Sequence, residues 1–576
     1  MKIYSLVLSL FVSLASLPVN AVAQSESADR PNVILIMSDD QGIGDFGVNG
    51  NPIVQTPFID KMARNSASMS RFYVNAVCSP TRASLMTGRW SYRTGVTDTF
   101  KGRSIMNAEE TTIAEALQAA GYATGLFGKW HLGDVYPYRP MDQGFETCVY
   151  HRGGGLGQPS EPLGADERYT NPVLFRNGIQ YTAEGYCCDI YFSEAIDFIK
   201  ESKEKKKPFF AYIASNTPHG PYHDVPQKWL SYYKGLNLEN DQFPQDDGHP
   251  ISGNDDLDTR ARIFAMVSNL DENVGRLFEE LDHLDLTENT LVIYMCDNGP
   301  NGNRYVNGFK GRKSNAWEGG VRSPFWAHWP KGFKAGTVSN ALSAHVDVYP
   351  TILELCDVDL PDGFPLDGRS MLGYLTGQKV DAPDRTLILQ SHRGEEPEAW
   401  ENATLITSRW KLVNNGKPGD QQLFDLSNDP YALDNVIGDF PAVQADLGNR
   451  YDVWLREMRN INPMDLPLYV GTEYEEETVL TNQDAKEVDG ESRYNEWRLK
   501  VVETGTYQIG FSDKSFAGPV AVDLFIDNER VATQSVPGEL ERYSFGPVNL
   551  EEGRRTLRAV RRDGESRFLH VYISKL

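Results

Sequence analysis

Four separate stretches of this chain, Asn32–Met37, Ala123–Phe127, Phe209–Ala214 and Leu291–Met295, run apolar with no polar alternation. A strand wet on one face alternates apolar and polar side chains. Runs like these therefore belong to strands buried on both faces, in a sheet with a parallel centre and helices on either side. Helical spacing is present too. Thr56–Met69 reads as a helix with Phe58, Ile59, Met62 and Ala63 inward, Thr112–Glu115 as a capping box, and Leu270, Val274, Leu277 and Leu281 as one helix face. Each apolar run then ends on polar groups: Asp39-Asp40 after the first, Lys129 and His131 after the second, His219 after the third, Asp297-Asn298 after the fourth. A turn or a helix cap accounts for any one of these. Four together, at the carboxyl edge where open α/β sheets bind ligands, predict a site. The oxygens suit a hard divalent cation, and the histidines and lysines suit proton transfer and anion binding.

Between the first two runs lies Cys78-Ser79-Pro80-Thr81-Arg82-Ala83-Ser84-Leu85-Met86-Thr87-Gly88-Arg89-Trp90. Pro80 fits the first turn of a helix and Gly88 its end. Cys78 then stands at a helix N-terminus, which favours negative charge, with Arg82 one turn on. A nucleophile, a fixed cation and free N–H groups suit attack on an anionic ester.

This segment resembles the signature of the type I sulfatases, C-x-P-x-R, and the resemblance extends over roughly residues 31–460. In that family the cysteine is oxidised after translation to formylglycine, whose hydrated aldehyde is the nucleophile. Carried over residue by residue, the resemblance implies that Asp39, Asp40, Asp297 and Asn298 bind one calcium ion, which the formylglycine from Cys78 also contacts. Arg82 would hold the formylglycine, and Lys129 and Lys313 would bind sulfate oxygens. His131 would help expel sulfate, and His219 would protonate the leaving alcohol. The usual Gly-Lys pair is split in Gly311-Arg312-Lys313, so Lys313 is assigned by its distance to Glu318-Gly319-Gly320, with Lys310 second. His223 and His345 fall in motifs common in the family and are expected to be structural or to shape the substrate pocket. Two other readings stay open: a phosphonate or phosphodiester hydrolase of the same superfamily, and a non-catalytic sulfated-glycan-binding protein.

At 576 residues the chain is too long for one core. The expected class is α/β: a large mixed sheet flanked by helices at 31–383, alkaline-phosphatase-like as the resemblance implies, a small antiparallel-sheet C-terminal subdomain at 384–470, and an appended β-sandwich at 475–576. Lys2, the apolar run Tyr4–Leu17 and Ala21-Val22-Ala23 read as a signal peptide over residues 1–23, hence export to the periplasm or beyond. No cysteine lies near that cleavage site and no later stretch looks transmembrane, so no membrane anchor is expected. A net charge of −24 argues against a nucleic-acid partner but leaves room for a locally cationic pocket. The expected partners are a sulfated carbohydrate substrate and, during maturation, a formylglycine-generating enzyme. Six cysteines permit disulfides without fixing any pairing. Near the C-terminus Arg554, Arg555, Arg558, Arg561 and Arg562 cluster, either as a face balanced by nearby acids or as a ridge for a sulfated polymer.

Overall fold

The computed structural model describes residues 30–576 except 166, 246, 254–255, 362–364, 380–382, 395–396, 415–418, 462–465, 489–490, 515–517, 539–540 and 565–568, and gives only the backbone of 487–488 and 491–494. The expected signal peptide lies outside the described residues. Among them no helix is long and apolar enough to cross a membrane.

The main sheet has ten strands: β1 (Asn32–Ser38), β2 (Ala67–Met69), β3 (Ala123–Lys129), β4 (Thr147–His151), β5 (Val173–Arg176), β6 (Ile179–Thr182), β7 (Phe209–Ala214), β8 (Thr290–Cys296), β9 (Phe325–His328) and β10 (Val338–Ser339), in the order β10-β2-β9-β8-β1-β7-β3-β4-β5-β6. The four apolar runs are its centre: β8, β1, β7, β3 and β4 are all parallel, with antiparallel strands at both margins. The period of two divides each central strand between two cores. Ile34 and Ile36 face one, with the helices α3 (Cys187–Glu204) and α4 (Leu257–His283), while Val33, Leu35 and Met37 face the other, with α2 (Cys78–Thr87). The expected helix over Thr56–Met69 stops early. The helix α1 covers only Pro57–Arg64, and Ala67–Met69 becomes β2, because that segment pairs with Trp326 and Ala327 on one side and Val338 and Ser339 on the other. Tertiary pairing overrides local helical spacing here.

The second unit is a four-stranded antiparallel sheet, β11 (Leu387–Gln390), β12 (Ala403–Ile406), β13 (Trp410–Asn414) and β14 (Gln422–Asp425), covered by a helix at Pro441–Asn460. The third is a β-sandwich. One sheet holds strands 468–470, 486–488, 491–501, 520–526, 529–536 and 553–561, and the other 477–480, 505–513, 543–550 and 569–575. The sandwich takes in Leu468–Val470, which pairs with Leu499–Val501, so its sheet begins before the expected residue 475. Its core includes Ile105, Val135 and Tyr138 of the first unit, so the two share buried apolar surface.

All six cysteines are free and buried. The C-terminal arginines meet partners of their own module: Arg561 pairs with Asp513 and Asp563, Arg562 with Asp523, Arg555 with Glu551, and Arg558 donates to Asn528. These pairs fit a face balanced by acids of the same module.

Candidate active site

Parallel strands all present their carboxyl ends on one edge, and register holds those ends level: Ser38 lies opposite Cys296, and Ala214 lies opposite Met37 and Gly128. Asp39-Asp40, Lys129, His219 and Asp297-Asn298 therefore converge. A fifth contribution is α2, all ten residues of which are buried; it opens at Cys78 and closes on Gly88, a glycine at φ 68°. The sulfur of Cys78 and oxygens of Asp39 and Asp297 lie within 4.8 Å of one another, as do ligand atoms of Asp39, Asp40 and His219.

The carboxylates are only partly satisfied. Lys129 Nζ donates to Asp39 Oδ2 at 2.7 Å, and Asn298 Nδ2 to Asp40 Oδ1 at 2.8 Å. Lys313 Nζ reaches Asp40 Oδ1 at 2.5 Å. Arg82 is buried, and its Nε and one terminal nitrogen donate to Asp297 Oδ2 at 3.2 and 2.8 Å. Its other terminal nitrogen donates to the Lys129 carbonyl at 3.0 Å. Left over are Asp39 Oδ1, Asp40 Oδ2 and Asn298 Oδ1, three buried oxygens without a donor. Buried oxygens are normally paired, so three orphans in one place fit a hard cation, as does the all-oxygen chemistry of the set. Electrostatics agree. Burial works against the charge of Asp39, yet Lys129, His219 and Arg82 hold its carboxyl well below the usual range. Asp297 is pushed up to about 7, by burial first and by Asp39 next, in spite of Arg82. A divalent ion would relieve the repulsion behind that shift.

Burial pushes the Cys78 thiol above its ordinary value, although Lys129 and Lys313 pull the other way. At neutral pH the unmodified side chain is a neutral thiol and a poor nucleophile.

The two histidines are oriented by carbonyls, which only accept. His131 Nε2 lies 2.8 Å from the Thr99 carbonyl and so carries the proton, which leaves Nδ1 bare, buried and without a partner. Burial, then Lys129, holds His131 well below its usual value, hence neutral. His219 Nδ1 donates to the Gly220 carbonyl at 2.7 Å, and its Nε2 faces Asp40 Oδ2 at 3.8 Å. Burial lowers His219 as well, against the pull of Asp39 and Asp40. Lys313 stays charged: burial would lower it, but Asp40 and Cys78 raise it further.

Cys78, His131, His219 and Lys313 form the floor of a cavity of about 510 Å³. The second lysine candidate, Lys310, points elsewhere, its Nζ 3.9 Å from the centre of the Trp317 ring. His345 is a buried structural residue between Asn75 and the Tyr73 carbonyl, and His223 is exposed. Sequence reasoning missed the Arg304–Asp45 pair, which braces the Asp40 carbonyl from behind, and everything the β-sandwich brings. Gln483, in that module, donates to the Thr99 carbonyl at 2.6 Å and to Ser104 Oγ at 2.9 Å, beside His131.

A family model described as sulfatase matches residues 31–358, and one described as N-sulphoglucosamine sulphohydrolase, C-terminal, matches residues 311–456. N-acetylgalactosamine-6-sulfatase of Mus musculus is 31% identical over 378 residues, 61% of this chain and 68% of that one. Arylsulfatase A of Homo sapiens is 32% identical over 376 residues, with the same two coverages, 61% and 68%. Among solved structures, Ps i-CgsB in complex with k-i-k-neocarrahexaose matches with a TM-score of 0.65 at 26% identity, over 75% of this chain and 94% of that one. Phosphonate monoester hydrolase of Agrobacterium radiobacter shares the fold, with a TM-score of 0.51 at 20% identity over 75% of this chain and 96% of its own.

Proposed function

Because the chain belongs to the sulfatase family, with its alkaline-phosphatase-like fold and its hydrolysis of sulfuric esters, we propose that it removes sulfate from a sulfated carbohydrate, through a formylglycine made from Cys78 and one calcium ion. The observation that carries this reading is the trio of orphaned oxygens on Asp39, Asp40 and Asn298, with a buried cysteine at a helix N-terminus whose sulfur lies within 4.8 Å of oxygens of Asp39 and Asp297. Formylglycine, when present, supplies a geminal diol as nucleophile in place of an inert thiol. Asp39, Asp40, Asp297 and Asn298 would hold calcium, which would supply positive charge to a bound sulfate.

The chain's own residues do the rest. Arg82, Lys129 and Lys313 balance the three carboxylates, so a bound divalent ion leaves the floor of the cavity net positive, as a sulfate ester requires. Lys129 and Lys313 are the proposed partners of the sulfate oxygens; Lys313 lines the cavity, and Lys129 lies buried on Asp39. Arg82 positions Asp297 and the Lys129 backbone, and its charge faces the residue-78 side chain. His131, neutral with Nδ1 bare, can accept the proton whose loss lets sulfate depart. His219 directs Nε2 toward the same space and can pass a proton to the leaving alcohol; an anionic substrate beside it favours its charged form. The sugar reading draws on the relatives: one is named for an N-acetylgalactosamine 6-sulfate, and Ps i-CgsB was solved with k-i-k-neocarrahexaose. The leader-like residues 1–23 support export, to the periplasm or the medium.

Mass spectrometry of tryptic peptides, from protein made together with a formylglycine-generating enzyme, tests the reading. The peptide holding residue 78 should be about 18 Da lighter than its cysteine form. Sulfate release from 4-nitrophenyl sulfate should vanish in Cys78→Ala, fall on chelation and return with calcium. Full activity in a preparation holding only unmodified cysteine would refute it. Faster turnover of a matched phosphate or phosphonate ester would favour the phosphonate hydrolase instead.

A further inference from the structure

The cavity above Cys78 is not closed by the matched sulfatase regions alone. Its rim includes Asn482 and Asn495, and both belong to the appended β-sandwich. Asn495 sits in the long strand 491–501, opposite Ala559, two residues before the buried Trp497 and therefore on the same face. Asn482 sits in the turn Thr481–Asp484. That turn is fixed from three sides. The Trp497 indole donates to the Thr481 carbonyl at 2.8 Å, the Gly102 N–H donates to the Gln483 carbonyl at 2.9 Å, and the Gln483 amide holds Thr99 and Ser104. Thr99 is the residue whose carbonyl orients His131. The turn is therefore hydrogen-bonded to the loop that orients His131, and the sandwich shares buried core with Ile105, Val135 and Tyr138.

We infer that the β-sandwich is a working wall of the active site, in which Asn482 and Asn495 read the sugar that carries the scissile sulfate. The inference rests on the proposed sulfatase function and deepens it. Primary amides both donate and accept, so two of them facing one cavity suit the hydroxyls of a sugar ring, which do the same. A nitrophenyl leaving group offers them only the weak acceptors of its nitro group and no hydroxyl. The module on this reading sets specificity.

Asn482→Ala and Asn495→Ala, each in the full-length matured enzyme, test this against two kinds of probe. One is 4-nitrophenyl sulfate. The other is a panel of N-acetylgalactosamine 6-sulfate, glucosamine 6-sulfate and carrageenan oligosaccharides, from which the sugar that wild type turns over fastest is carried forward. Each variant should lose at least about tenfold more kcat/KM on that sugar than on 4-nitrophenyl sulfate, chiefly through KM. Circular dichroism and Tm then separate this from misfolding, which would reduce both substrates alike. Equal loss on the two, or no loss, overturns the inference while the sulfatase reading stands. A wild-type enzyme that cleaves the aryl sulfate but no sugar on the panel overturns the inference too. One that cleaves neither overturns the sulfatase reading, and the inference with it.

Discussion

Lys129 and Asp39 show how tightly single residues are held in this site. Both are fully buried, and the lysine is the nearest donor to a carboxylate whose other oxygen has none. Replacing one partner of such a pair leaves the other charge stranded, at a cost of about 3–5 kcal/mol. Lys129→Met should therefore destabilise the chelator-treated protein by that order in urea unfolding, and, if Lys129 binds sulfate as proposed, should also reduce turnover of 4-nitrophenyl sulfate by about 100-fold or more. Stability and turnover both near wild type would mean that Lys129 is a bystander. Cys78 carries the opposite lesson. Its surroundings do not activate a thiol, which is why the proposed reaction calls on a different functional group at that position.

The turn carrying Gln483 and the loop after β3 meet at a second buried group of interest. Asp484 is pushed up to about 8, by burial first and then by Asp134, whose own carboxyl is raised by burial; Thr481 and Arg152 pull the other way. A carboxyl raised in the folded state contributes stability below its unfolded value, about 4, and that contribution is lost as pH rises through about 8. Asp484→Asn removes the titration. The variant's Tm should lose less than wild type between pH 5 and pH 8.5, and parallel Tm curves would exclude the pair as the source. At this scale the sequence was partly legible. Unbroken apolar runs announced the parallel centre, and acids and bases placed directly after them announced the floor of the site, because local pattern and global fold agree there. Ala67–Met69 misled because its partners lie more than two hundred residues away. Asn482, Gln483 and Asn495 carried no signal at all: amides in a turn and a strand acquire a role only when the sandwich docks through Ile105, Val135 and Tyr138.

As a whole molecule the chain sets a strongly acidic surface, at net charge −24, around a small floor where three cations meet three carboxylates. Screening over about 8–10 Å lets the floor act independently of the surface charge. The long-range architecture also dictates an order of events in time. α2 is buried along its whole length, and Cys78 is 2% exposed. On the proposed function, burial by β7, β8 and the sandwich would bar an oxidising enzyme from this cysteine, and conversion would belong to the interval between synthesis of residue 78 and closure of the fold. Folded precursor offered to the formylglycine-generating enzyme should stay unconverted, while the same precursor held in denaturant, or as a peptide spanning the segment, should be converted; efficient conversion of the native form would contradict this. The last pieces of the pocket, Asn482 and Asn495, leave the ribosome only when more than four-fifths of the chain has been made. A growing chain thus gains a complete pocket only near the end of its synthesis, long after residue 78 has been made.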